Sequence, residues 1–119
     1  MPSLLVVDDE PTVLHLFRRM FDKVGIEVLT AANAAEARRL VAETRPDVAI
    51  LDLVLPDQTG LQAFQVLKEI DPRLPVIFMT ASGNSDTAIE AMKLGALDYL
   101  LKPLDFAEVR KLVDQALEI

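Results

Sequence analysis

Residues 48–60 read VAILDLVLPDQTG, an uninterrupted apolar run closed by Asp52 and followed by Pro56 and Gly60. Four apolar side chains in a row leave no polar face. A strand formed here is therefore buried on both sides, the condition of a central strand in a parallel sheet. Working outward, Leu4 to Val7, Ile26 to Thr30, Val76 to Met79 and Tyr99 to Leu101 form four further apolar runs. The segments between them have helical spacing instead. Val13, Leu14, Phe17, Met20, Phe21 and Val24 form one apolar stripe, with Arg18, Arg19, Asp22 and Lys23 between them and Pro11 suited to a first turn. Phe106, Val109, Leu112, Val113, Ala116 and Leu117 form another. Ala34 to Thr44, Leu61 to Ile70 and Ser85 to Leu94 complete five helices, closed by Gly25, Pro46, Pro72 and Gly95. The order is (βα)5. With right-handed crossovers it predicts an α/β doubly wound, three-layer sandwich, one parallel sheet with helices on both faces.

The chain has 119 residues, 51% hydrophobic and 26% charged, which fits a single domain over 1–119 with one core. Twelve Lys and Arg against nineteen Asp and Glu give a net charge of −7, a field that repels phosphate backbones and anionic lipid heads. Neither direct nucleic-acid binding nor membrane association is expected. With no cysteine, disulfides, thiolate metal centres and cysteine nucleophiles are excluded, and with His15 the only histidine zinc is poorly served. The start, Met-Pro-Ser before Leu4, lacks the basic region and long apolar stretch of a signal peptide, and charges interrupt every candidate membrane span. A cytoplasmic location is the expectation.

Ligands of an open parallel sheet bind beyond the carboxyl ends of its strands, so the residues that follow each run matter most. These are Asp8 and Asp9, then Asp52, then Thr80, then Lys102 and Pro103. Taken singly, each has a plain structural explanation: Asp8 and Asp9 as helix caps, Thr80 as a strand end, Lys102 as a solvated charge. Asp52 resists that explanation, because a carboxylate directly after a buried strand is desolvated and needs a partner. Together the strand ends bring three carboxylates, a hydroxyl and an ammonium to one edge. Clustered carboxylates with no histidine or cysteine select a hard divalent cation, Mg²⁺ or Mn²⁺. A lysine and a hydroxyl beside that cation describe a pocket for a phosphoryl group, with a carboxylate oxygen of Asp52 as the attacking atom.

Asp8-Asp9-Glu10-Pro11, Asp52 with Pro56 and Gly60, Met79-Thr80-Ala81, and Asp98-Tyr99 through Lys102-Pro103 stand in an order and spacing that resembles the receiver domain of bacterial response regulators. The resemblance covers essentially the whole chain and implies a flavodoxin-like fold with strand order 2-1-3-4-5. It implies that Asp52 is the phosphoacceptor, loaded by a sensor histidine kinase. It also implies that Asp8, Asp9 and Asp52 hold Mg²⁺ with the backbone carbonyl of Val54, and that Thr80, the Ala81 N–H and Lys102 bind the phosphoryl group. Loading would draw Thr80 inward and let Tyr99 follow, remodelling the face of the fourth helix and fifth strand, through which a homodimer or an output would respond. Residues 80–105 look most like receivers that precede NtrC-type, sigma-54-dependent transcription activators. No output domain lies in these residues, so the expectation is a single receiver, standing alone or cut from a longer regulator.

Two positions depart from the family's commonest pattern. Gln58 stands where Met is frequent, and Val54 puts an aliphatic side chain beside the acceptor, so Val54 and Ser82 bear on how readily water reaches an acyl phosphate. His15 falls outside the first apolar stripe and is expected at the surface, without a phosphorelay role. The fourth helix is poor in large inward residues, with Ala88, Ala91 and Gly95 in one row and Ile89 outside it. Apolar surface should therefore remain exposed there. An aspartate-nucleophile phosphatase of the haloacid dehalogenase type is disfavoured, since its D-x-D motif follows the first strand. A binding-only pseudo-receiver is disfavoured because every acid and the lysine are present.

Overall fold

The structure, a computed structural model, describes residues 1–81 and 86–118. Strands β1 (Ser3–Val7), β2 (Glu27–Ala31), β3 (Val48–Asp52), β4 (Val76–Thr80) and β5 (Asp98–Leu101) alternate with helices α1 (Pro11–Phe21), α2 (Ala34–Thr44), α3 (Gly60–Ile70), α4 (Asp86–Lys93) and α5 (Phe106–Leu117). All strand pairs are parallel, in the order β2-β1-β3-β4-β5. The start of the fourth helix was expected at Ser85, which lies outside the described residues.

The continuous apolar runs are explained by two cores, one on each face of the sheet. Leu5, Val7, Ala49, Leu51, Val76 and Phe78 point to a cluster closed by α2, α3 and the small residues Ala91 and Ala96. Their alternates Leu4, Val6, Val48, Ile50, Ile77 and Met79 point to a second cluster with Phe17 and Phe21 of α1 and Val109, Leu112 and Val113 of α5. Each central strand thus feeds both sides, and a polar residue on either face would lack a partner.

The apolar stripes hold within the helices and fail at their ends. Val24 is exposed, because α1 stops at Phe21 and the chain passes through a turn to Gly25 at φ +75°, a left-handed conformation that suits glycine. Phe106 is 53% exposed, because it is the first residue of α5 and precedes the turns that dock. His15 is exposed, as expected. On α4, Ala88 and Ala91 are buried while Ile89 is 54% exposed, so the exposed apolar surface expected on this helix is present. Among the described residues, no helix is long and apolar enough to cross a membrane.

Candidate functional site

Alternation along the strands sorts the functional side chains between the two faces. Asp52 continues the row of Val48 and Ile50, whereas Thr80 continues the row of Val76 and Phe78. Tyr99 sits opposite Phe78 in the β4–β5 register and packs against the same cluster, half-buried. Thr80 and Tyr99 therefore share the face covered by α2, α3 and α4. β5 is an edge strand, and the Tyr99 ring is partly buried against this cluster.

At the carboxyl ends of β1, β3 and β5 the acids and the lysine meet. Lys102 Nζ lies 2.9 Å from Asp8 Oδ2, 2.9 Å from Asp52 Oδ2 and 3.6 Å from Glu10 Oε1. The other oxygen of each buried carboxylate accepts a backbone N–H, Asp8 Oδ1 from Glu10 at 2.9 Å and Asp52 Oδ1 from Val54 at 3.0 Å. Each acid is thus held between an amide and the ammonium, which is how a buried charge becomes tolerable. Asp8, Asp52 and Thr80 are the buried polar side chains among the described residues. Burial works against the Lys102 charge, but hydrogen bonds to Asp8 and Asp52 and the field of both carboxylates outweigh it and hold the ammonium well above its ordinary value.

Oxygens of Asp8, Asp9 and Asp52 lie within 4.8 Å of one another. Three hard oxygen donors without nitrogen or sulfur fit Mg²⁺ or Mn²⁺ and no softer ion. Capping does not account for the two adjacent acids. The N-cap of α1 is Glu10, which makes no side-chain cap bond, and Asp8 is spent on the site. Asp9 is exposed beside it.

The backbone ties the strand ends together. Leu53 N–H donates to the Met79 carbonyl at 3.1 Å and Lys102 N–H to the Thr80 carbonyl at 2.9 Å. Thr80 is buried at the end of β4, with Ala81 exposed after it, and the Lys102–Pro103 peptide is cis. Val54, two residues beyond Asp52, is 76% exposed. Ser82, paired with Val54 in the sequence reading, lies outside the described residues. Gly60 has a specific cause: a Cβ there would fall 2.5 Å from the Asp52 carbonyl oxygen and 2.6 Å from Leu53 Cα. Sequence reasoning missed Glu10 as a third partner of Lys102, and it missed Asp57, whose carboxylate accepts from the Ala34 and Ala35 amides at 2.9 and 3.1 Å. The D-x-x-x-P-x-x-x-G spacing signalled the loop without showing which of its residues ties it down.

The family model described as response regulator receiver domain matches residues 4–114. Response regulator protein PilR of Pseudomonas aeruginosa is 40% identical over 115 residues, which are 97% of this chain and 26% of that protein. The chain thus spans about a quarter of the length of this relative. Sporulation initiation phosphotransferase F of Bacillus subtilis is 36% identical over 117 residues, 98% of this chain and 94% of its own. A crystal structure of a response regulator receiver domain protein from Clostridium thermocellum superposes with a TM-score of 0.93 at 35% identity, over 99% of this chain and 95% of the other. The matched region takes in every strand end that builds the acidic site, and the chain belongs to the response regulator receiver domain family.

Proposed function

We propose that Asp52 is the phosphoacceptor of a switch loaded by a sensor histidine kinase. The observation that carries this reading is Lys102, whose ammonium lies 2.9 Å from both the Asp8 and Asp52 carboxylates. A cation beside a sheltered carboxylate is what an incoming phosphoryl anion requires. In the transfer the donor's P–N bond breaks, its electron pair stays on the histidine nitrogen, and a P–O bond forms to Asp52. Lys102 then gives up a carboxylate contact for a phosphoryl oxygen, while the Thr80 hydroxyl and the Ala81 N–H donate to the others. Asp8, Asp9, Asp52 and the Val54 carbonyl would hold Mg²⁺, with Mn²⁺ as a substitute. Bound there, the ion supplies neutralisation of charge on the transferring oxygens. The only chemistry is the gain and loss of the domain's own phosphoryl group.

Residues 1–119 act as a single receiver in the cytoplasm. As loading draws Thr80 inward, Tyr99 follows on the same sheet face, which alters the surface of α4, β5 and α5. Ile89, Met92, Leu94, Leu101 and Phe106 are exposed there. That surface would meet a second copy or an output domain, and the resemblance to PilR points to transcription as the output. Nucleic acid and membrane are not contacted by this domain, in keeping with its net charge of −7.

Incubation with acetyl phosphate and Mg²⁺ followed by intact-mass measurement tests the acceptor. The gain of one phosphoryl group should disappear in Asp52→Asn and with chelator. Equal labelling of Asp52→Asn would overturn the assignment.

A further inference from the structure

We propose that Asp57 is a positioning residue for the Mg²⁺ site, clamping the loop that carries the Val54 carbonyl onto the amino end of α2. The inference deepens the reading of Asp8, Asp9, Asp52 and Val54 as the metal site and rests on it.

The loop of residues 53–59 is closed at its base. Gly60 N–H donates to the Leu53 carbonyl at 2.8 Å, Val54 pairs with Thr59, and Leu53 and Leu55 are buried. Its tip, Pro56 to Gln58, is exposed, and the base leaves its position open. From that tip Asp57 Oδ1 accepts the Ala34 N–H at 2.9 Å and Oδ2 accepts the Ala35 N–H at 3.1 Å. These are the first two amides of α2, donors that no carbonyl of the helix can satisfy. The helix already has a local cap: Asn33 Oδ1 accepts the Glu36 N–H at 2.9 Å, and Glu36 Oε1 accepts from Ala32 N and Asn33 Nδ2, each at 3.3 Å. Asp57 is therefore not needed to start the helix, and its two bonds join separate elements.

The same capped turn also holds the first strand end, since the Ala31 carbonyl accepts the Asp8 N–H at 3.0 Å. A short segment, Ala31 to Ala35, thus bonds Asp8 on one side and the loop after Asp52 on the other. The metal donors come from both sides of that segment. The Asp57 carboxyl lies below the usual carboxylate range, chiefly through the bond from Ala34, so the clamp stays charged and charge-assisted at neutral pH.

The test is calorimetric titration of the full chain with Mg²⁺, well below the thermal midpoint of each variant. Asp57→Ala should weaken Kd about tenfold, the low end for groups that hold a metal's ligands from behind. Asp57→Asn, which keeps an acceptor oxygen, should fall between the two. Ala34→Pro attacks the clamp from its other end, removing one donor at a helix position that accepts proline. Asn33 before it, at φ −156° and ψ 173°, already has the extended backbone that proline demands. It should weaken Kd in the same direction, and amide exchange at Val54 and Thr59 should rise in both Asp57→Ala and Ala34→Pro. A merely stabilising role for Asp57 would lower the midpoint and leave Kd alone. Unchanged Kd in either folded variant overturns the clamp while the metal site stands. A wild-type chain that never saturates with Mg²⁺ overturns the metal site and the clamp together.

Discussion

Replacing Gly60 with alanine puts a methyl group against the backbone of the proposed phosphoacceptor. The added Cβ would lie 2.5 Å from the Asp52 carbonyl oxygen and 2.6 Å from Leu53 Cα, short of ordinary 3.4 Å contact by 0.9 and 0.8 Å. Both neighbours are backbone atoms at the end of β3, a strand in register with β1 and β4, so no flexible side chain can absorb the shift. Overpacking of this kind costs about 1–3 kcal/mol. Stretching the 2.8 Å bond from Gly60 N–H to the Leu53 carbonyl adds up to about 1 kcal/mol. Better helix propensity returns less than about 1 kcal/mol at the first residue of α3. The net loss is about 2 kcal/mol, a fall of about 8 °C in thermal midpoint for a domain of this size. Gly25→Ala is the control, because Gly25 has φ +75° but nothing within 4 Å of its Cβ, leaving only left-handed strain of about 1–2 kcal/mol. The two variants should therefore lose similar stability, measured by thermal melts without metal. Only Gly60→Ala should also bind Mg²⁺ more weakly and label more slowly with acetyl phosphate. A Gly60→Ala protein that melts and labels like wild type would refute the steric reasoning. Equal loss of Mg²⁺ binding in Gly25→Ala would show that the effect is general instability.

Lys102→Met leaves the Asp8 and Asp52 carboxylates facing each other without a cation, and should lower metal-free stability by about 3 kcal/mol. Because the ammonium no longer competes with the ion, Mg²⁺ should raise the variant's midpoint more than it raises that of wild type; an equal or smaller response would contradict that competition. Lys102 has a raised value, so its stabilisation is complete below the unfolded lysine value of about 10.4 and disappears only as pH climbs through the higher folded value. Asp57 has a lowered value, so its contribution is complete above about 3.9 and is lost as pH falls through the lower folded value. The stability gap between wild type and Asp57→Asn should accordingly stay constant from about pH 5 to 9 and shrink in stronger acid; a gap that changes near neutrality would refute the assignment. Ile89→Ala, at an exposed site, should change stability by less than about 0.5 kcal/mol yet abolish a dimer that beryllofluoride and Mg²⁺ induce in wild type, counted by sedimentation. Hydrogen-exchange changes confined to α1 and α2, with residues 86–101 unaffected, would remove the proposed route from site to surface, whereas an unchanged wild-type monomer would remove only the dimer.

The layered architecture was legible because each central strand must satisfy two cores at once, which forces runs such as Val48 to Leu51 to be apolar at every position. Helix ends were less legible. Val24 and Phe106 continue the spacing of their stripes, but spacing carries no information about where the backbone leaves the helix, and both side chains are exposed. In the site, Asp52 stood out because an acid directly after a buried run has no solvent to spare, and its neighbours followed from their shared position at strand ends. What stayed hidden were contacts made across the fold. Glu10 reaches Lys102 at 3.6 Å, and Asp57 reaches Ala34 across 23 residues of sequence. No local pattern encodes either of them.

The contacts of Lys102 also bear on how the switch is balanced. Its partners lie 94 and 50 residues away in sequence, and in the structure it rests on two carboxylates, of which the proposed chemistry would load one, Asp52. The three clustered carboxylates and this one ammonium carry a net charge of −2, which a single Mg²⁺ would offset, the exposed Glu10 at 3.6 Å from the ammonium being left out of that count. Loading Asp52, as proposed, would turn its single negative charge into a phosphoryl group carrying nearly two, so the balance would be upset by the event to be signalled. The ammonium on its flexible stem is the charge among these that can move to meet the new demand. In the proposed switch, its move from a carboxylate to a phosphoryl oxygen would loosen the resting contacts as the Thr80 hydroxyl is drawn inward. A cation that stabilises the resting site would thus be converted by loading into one that stabilises the altered strand ends, with the same side chain holding both arrangements.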